Sequence, residues 1–144
     1  DPIVARYEPG MTYGDHVDDP IMGSTGPRFR TDVSMTIFLN PPESYEGGEL
    51  TMRTPFGDRK VKLPAGDAVI YPSSSLHHVA EVTAGERLVA LTWIQSYVRD
   101  AARRELLYEL NLARESLLKE APGAETTGYV DRSYANLLRM WADL

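Results

Sequence analysis

Four residues in this sequence have the types and spacing to do chemistry. His16 and Asp18 lie two positions apart in a segment whose pattern reads as a strand. Strand side chains repeat every two residues, so an imidazole and a carboxylate would converge on one face. A downstream histidine on another strand completes a two-histidine, one-carboxylate set, the ligand type of non-haem Fe(II) chemistry. Three protein ligands on one side of an octahedron leave three positions for a chelating cosubstrate and dioxygen, which a closed four-ligand site would block. His77 and His78 are both available as the third ligand, and as strand neighbours they face opposite ways, so only one points inward. Arg87 is in register with Val89, Leu91 and Trp93, an apolar set suited to a barrel interior. A guanidinium there requires an anionic partner, and its planar fork matches a carboxylate. Taken alone, His-x-Asp also fits a surface strand end, and Arg87 a surface strand charge.

The elements that must position these groups are short. To about residue 97, alternating or apolar runs are separated by Gly, Pro, Asn and Asp, the pattern of an all-β sandwich or barrel. Eight strands are expected: Ile3 to Tyr7, Tyr13 to Val17, Val33 to Leu39, Glu49 to Arg53, Lys60 to Leu63, Ala68 to Tyr71, Leu76 to Val82 and Arg87 to Ser96. That number suggests a jelly roll, a double-stranded β-helix. Loops are expected at Asp19 to Arg30 and Asn40 to Gly48, bordering the entrance to the site. Beyond Val98 the period changes: Leu106, Leu110, Ala113 and Leu117 recur at three or four residues, marking an amphipathic helix that stops near Pro122-Gly123. A second helix is expected from Asp131 to Asp143, with Tyr134, Leu137, Leu138 and Trp141 on one face, after a mobile linker from Ala121 to Gly128. The domain reading is thus a β-barrel over 1–98 and a helical extension over 99–144, packed on or beside it.

Composition narrows the function classes. A chain of 144 residues with 42% apolar content has the size of one ordinary domain. Its net charge of -6 and pI near 5.0 argue against nucleic acid, which needs clustered positive charge. Cysteine is absent, removing disulfides, thiolate zinc sites and cysteine nucleophiles, and a reducing compartment fits. No apolar run has membrane-spanning length, and the chain reads as soluble and cytoplasmic.

The run Tyr7-x-x-Gly10-x-x-Tyr13-x-x-His16-x-Asp18 resembles the opening of the prolyl-4-hydroxylase type of Fe(II)/2-oxoglutarate oxygenase. Thr36-Ile37-Phe38-Leu39-Asn40, Gly47-Gly48-Glu49-Leu50, Gly66-Asp67, His77 and then Arg87 follow in that superfamily's order. Closer still is the likeness to bacterial PKHD-type hydroxylases, which include PiuC-like iron-uptake factors. It is carried by Lys62-Leu63-Pro64-Ala65-Gly66-Asp67, Tyr71-Pro72-Ser73-Ser74-Ser75-Leu76-His77, Trp93-Ile94-Gln95-Ser96 and Asn136-Leu137-Leu138-Arg139-Met140-Trp141. The resemblance implies a dioxygenase that hydroxylates an unactivated C–H bond while 2-oxoglutarate is decarboxylated to succinate. It also implies Fe(2+) on His16, Asp18 and His77, the distal carboxylate of 2-oxoglutarate on Arg87, and L-ascorbate as a protective reductant. Tyr7 is expected beside the metal. Family members carry an N-terminal portion ahead of this region, so the chain is expected to be a fragment. Related enzymes place a tyrosine near Phe38; here Thr36, Ser34 or Tyr7 would have to assist Arg87. The prime substrate is left open between small molecules and peptidyl Pro or Lys. The alternatives are a metal-binding cupin-like jelly roll without oxygenase activity, and an interaction module whose C-terminal helices mediate homodimerisation or partner docking.

Overall fold

The computed structural model describes residues 2–23 and 26–143. Ser24 and Thr25, within the expected entrance loop, lie outside the described residues. The chain divides into two compact units, Asp1–Gln95 and Ser96–Leu144.

In the first unit the strands are β1 (Ile3–Tyr7), β2 (Tyr13–His16), β3 (Ile21–Met22), β4 (Phe29–Arg30), β5 (Val33–Phe38) and β6 (Tyr45–Gly47). They continue with β7 (Leu50–Thr54), β8 (Gly57–Val61), β9 (Ala68–Pro72), β10 (His77–Val79), β11 (Val82–Gly85) and β12 (Arg87–Ile94). One antiparallel sheet has the order β1-β12-β5-β9, the other β2-β10-β7-β8, with β11-β6 and β3-β4 as two-stranded ribbons. The chain alternates between the two larger sheets, and the fold is a jelly roll. Strand β5 shows how the pattern works. Its sequence VSMTIF alternates half-buried and buried, so Ser34, Thr36 and Phe38 all face inward. Opposite them on β12, Trp93 pairs with Ser34, Leu91 with Thr36 and Val89 with Phe38. Phe38, Leu50, Val79, Val82 and Val89 make the apolar core, while two hydroxyls and Arg87 share the same interior.

Three expectations need correction. The loops at 19–30 and 40–48 contain short strands, because backbone groups there find partners across the chain: Ile21 pairs with Arg30 and Gly47 with Val82. The strand expected from Leu76 to Val82 is two. Val79 ends the pairing with β7, and Val82 begins a ladder with β6. Strand β8 begins at Gly57 because a hairpin pairs Thr54 with Gly57, tied by a bond from Thr54 Oγ1 to the Gly57 carbonyl (2.7 Å). Gly47 makes one crossing possible: its φ is +69°, and a Cβ would lie 2.0 Å from the Glu81 carbonyl oxygen.

In the second unit, α1 (Ala101–Glu120) starts where the Asp100 carboxylate accepts from the Arg103 N–H (2.8 Å), an N-cap. Helix α2 spans Glu125–Trp141 and therefore begins earlier than Asp131. The second half of the expected linker is helical: Glu125 sits in the first turn, where the helix dipole favours a carboxylate, and buried Thr127 bonds back to the Ala121 carbonyl (2.7 Å). The packed face of α1 also differs from expectation. Leu107 is buried, whereas Leu106 is 51% exposed and Ala113 is exposed. Polar residues disguise that face: Arg114 bonds Asp131 (2.6 Å) and covers the Tyr134 ring (5.1 Å) on α2. Among the described residues no helix is long and apolar enough to cross a membrane.

Candidate metal centre

His16 and His77 are direct cross-strand partners on β2 and β10, with ring centroids 4.2 Å apart. Asp18 joins them by a different route from the one its spacing suggests. Strand β2 ends at His16, and Asp18 lies in the segment that follows, where its N–H donates to the Ser73 carbonyl (3.1 Å) just past β9. The ligand-capable atoms of the three residues all lie within 4.8 Å of one another. Asp18 Oδ1 is 3.8 Å from His16 Nε2 and 3.9 Å from His77 Nε2.

Both imidazoles are oriented from behind. His16 Nδ1 bonds the Gly14 carbonyl and His77 Nδ1 the Ser75 carbonyl, each at 2.8 Å. A carbonyl only accepts, so each Nδ1 carries the hydrogen, and in the neutral ring each Nε2 offers its lone pair toward Asp18. Two nitrogens and a carboxylate oxygen gathered in this way suit a divalent transition metal. His78 turns to the other side, its Nδ1 2.9 Å from Asp15 Oδ1. Expected to be exposed, it is largely covered, its side chain 20% exposed, beside an Asp15 that also pairs with Arg53.

The same cavity, about 400 Å³, is lined by all three residues and by Tyr7, Thr36, Tyr71 and Arg87. Arg87 is 1% exposed, and among the described residues its Nε has no hydrogen-bond partner. The buried hydroxyls of Thr36 and Tyr45 are equally unpartnered. Tyr7 presents its ring 5.0 Å from the guanidinium carbon, and Phe38 at 5.9 Å. Burial lowers the pKa of Arg87 from its ordinary value, opposed by the hydroxyls of Tyr7, Tyr45 and Tyr71. Burial raises the pKa of Tyr7 and Tyr45, and pushes that of Tyr71 up to about 12. Buried polar atoms are almost always bonded, so the Arg87 Nε and the Thr36 hydroxyl, both without a hydrogen-bond partner among the described residues and both in residues that line this cavity, match a carboxylate ligand.

Of the residues considered to assist Arg87, Tyr7, Thr36 and Ser34 all line the cavity with it, but the Ser34 hydroxyl is hydrogen-bonded to Asp18 Oδ2. Tyr13 and Trp93 also line the cavity. Sequence reasoning did not single out Tyr71, Ser73 or Tyr45. Tyr71 had a signal, since alternation along β9 places it with Val69 on the inward face, opposite Ser34. Tyr45 and Ser73 sit in or beside turns and had none.

Comparison with known proteins gives a consistent set of relatives. The sequence profile of the 2OG-Fe(II) oxygenase superfamily matches residues 2–95, and that of the PKHD-type hydroxylase C-terminal domain matches residues 100–143. A PKHD-type hydroxylase of Thioalkalivibrio sulfidiphilus is 61% identical over 140 residues, covering 97% of this chain and 62% of its own length. One from Acaryochloris marina is 49% identical over 141 residues, covering 98% and 63%. The chain thus spans less than two-thirds of the length of these relatives. Among solved structures, a Pseudomonas putida prolyl-4-hydroxylase is similar, with 28% identity, a TM-score of 0.52, and coverage of 65% of this chain and 51% of that one.

Proposed function

Because this chain belongs to the 2OG-Fe(II) oxygenase superfamily, we propose that it carries the catalytic centre of a hydroxylase, with His16, Asp18 and His77 as ligands to Fe(2+) and Arg87 as the anchor for 2-oxoglutarate. One observation carries the reading: three metal-type donors and a buried guanidinium that has no anionic partner among the described residues line a single cavity. When bound, the iron supplies the oxidising power by which 2-oxoglutarate, dioxygen and R–H become succinate, carbon dioxide and R–OH.

The residues bind, orient and shield. Backbone carbonyls fix the two rings so that no rearrangement is needed to present Nε2. Arg87 forms a carboxylate site at one end of the cavity, with Tyr7, Thr36 and Tyr45 around it, and burial there makes the charge pairing stronger than it would be in water. Tyr71, its hydroxyl 3.4 Å from His77 Nε2, is a neutral donor between the two halves. A cupin-like metal site without oxygenase activity would leave Arg87 uncompensated. L-ascorbate as a reductant, a peptidyl Pro or Lys or a small molecule as prime substrate, a cytoplasmic setting and a helix-mediated homodimer are carried by resemblance and composition alone.

Anaerobic titration with Fe(II) and then 2-oxoglutarate should produce the visible charge-transfer band of the chelate. Asp18→Ala should abolish both the band and succinate formation. Full succinate formation by that variant would overturn the assignment.

A further inference from the structure

Asp18 is the least supported of the three proposed ligands by regular structure, since it lies beyond the end of β2. Its backbone N–H donates to the Ser73 carbonyl. Its side chain is held by Ser34, whose hydroxyl bonds Oδ2, and Ser34 Oγ is in turn 2.7 Å from Ser73 Oγ. The direction of this chain follows from valence. A carboxylate only accepts, so Ser34 spends its single proton on Asp18; the bond between the serines must then be donated by Ser73. The order is Ser73 to Ser34 to Asp18, and each bond polarises the next. Both serines are buried, at 2% and 4% exposure, so water does not compete for these bonds. The two oxygens of Asp18 are thereby made unequal: Oδ2 is tied to β5, and Oδ1 faces His16 Nε2 and His77 Nε2.

We propose that Ser34 and Ser73 are positioning residues that restrict Asp18 to presenting one oxygen to the metal. This rests on the ligand reading above. Its consequence is an open coordination position. A carboxylate free to rotate can bind through both oxygens, taking one of the three positions that a chelating 2-oxo acid and dioxygen need.

The test uses Co(II) as probe on the 144-residue chain, without oxygen or 2-oxoglutarate, so that no turnover is involved. Ser34→Ala should weaken Co(II) binding roughly 10- to 100-fold, the usual effect of losing a partner behind a metal ligand, and should alter the visible Co(II) spectrum. Ser34→Thr, which keeps the hydroxyl, should restore both. Ser73→Ala should shift affinity in the same direction by less, and it stands as the test if Ser34→Ala does not fold. A purely structural serine would instead lower the thermal midpoint of the metal-free chain and leave the spectrum of the bound fraction unchanged. That result, or a Ser34→Ala affinity within about threefold of the parent, well short of that expected loss, would overturn the proposal while leaving the ligands in place. Failure of the parent chain to bind Co(II) would overturn the ligand reading and this inference with it.

Discussion

Arg87 carries more of the functional argument than any other single residue, because its burial is costly unless something charged meets it. Replacing it with methionine removes the charge at similar volume and leaves the triad untouched. Arg87→Met should therefore keep Co(II) affinity within a few-fold and lose at least ~10-fold in 2-oxoglutarate affinity, about 1.4 kcal/mol or more for a charge-assisted pair. Calorimetric titration of the metal-loaded chain with 2-oxoglutarate checks this; unchanged affinity would place the cosubstrate elsewhere. Tyr71 makes a second prediction, for the metal-free chain. Its phenol is held neutral to about pH 12 against an ordinary value of 10.0. Between those two values the unfolded chain releases this proton and the folded chain keeps it, so stability from this group is intact below pH 10 and falls as pH rises toward 12. Alkaline ultraviolet titration should show a late ionising phenol that disappears in Tyr71→Phe; loss of an earlier phase instead would contradict it.

The elements explain what could be read from the chain and what could not. Period-two alternation was enough to find β1, β5, β9 and β12, because each has one face on the interior and the other outside it. Where that contrast is missing the reading failed. Strands β3, β4 and β6 are two or three residues long, and only their partners make them strands. On α1 the packed face includes Arg114, whose stem and charge are absorbed by Tyr134 and Asp131, so a search for leucines at helical spacing selected a face rotated from the true one. His-x-Asp was informative although its strand ends between the two residues, since an extended segment keeps the same alternation for one more step. What spacing alone could not show is that a second sheet, through Ser73, holds the end of that segment. The Gly47-Gly48 pair was legible as a turn or a close approach of backbone, and the structure gives Gly47 a measurable role in the second sense. Gly47→Ala would place Cβ against the Glu81 carbonyl and force a left-handed backbone, which alone costs roughly 1–2 kcal/mol. Urea unfolding should give an unfolding free energy lowered by at least that much, and a neutral effect would mean that the β6–β11 crossing is looser than described.

At the scale of the whole molecule, each compact unit contains one of the two tryptophans: Trp93 on β12 in the first and Trp141 on α2 in the second. This distribution permits a test of where ligand binding acts, because a ligand stabilises whatever must be folded to bind it. All three proposed metal ligands and Arg87 fall within Asp1–Gln95. In a Trp141→Phe background, Trp93 fluorescence reports melting of that unit, while ellipticity at the helix wavelength reports chiefly α1 and α2. Mn(II) at a hundred times its dissociation constant should stabilise the first unit by about 2.7 kcal/mol, which for a region of this size is a rise on the order of 10 °C in the fluorescence midpoint. A chelator should return the midpoint to its starting value. If saturating Mn(II) leaves the Trp93 transition where it was, the three donors do not form a site in the folded barrel, however close together they lie. If the transition moves in the parent and not in Asp18→Ala, the stabilisation is located at the triad.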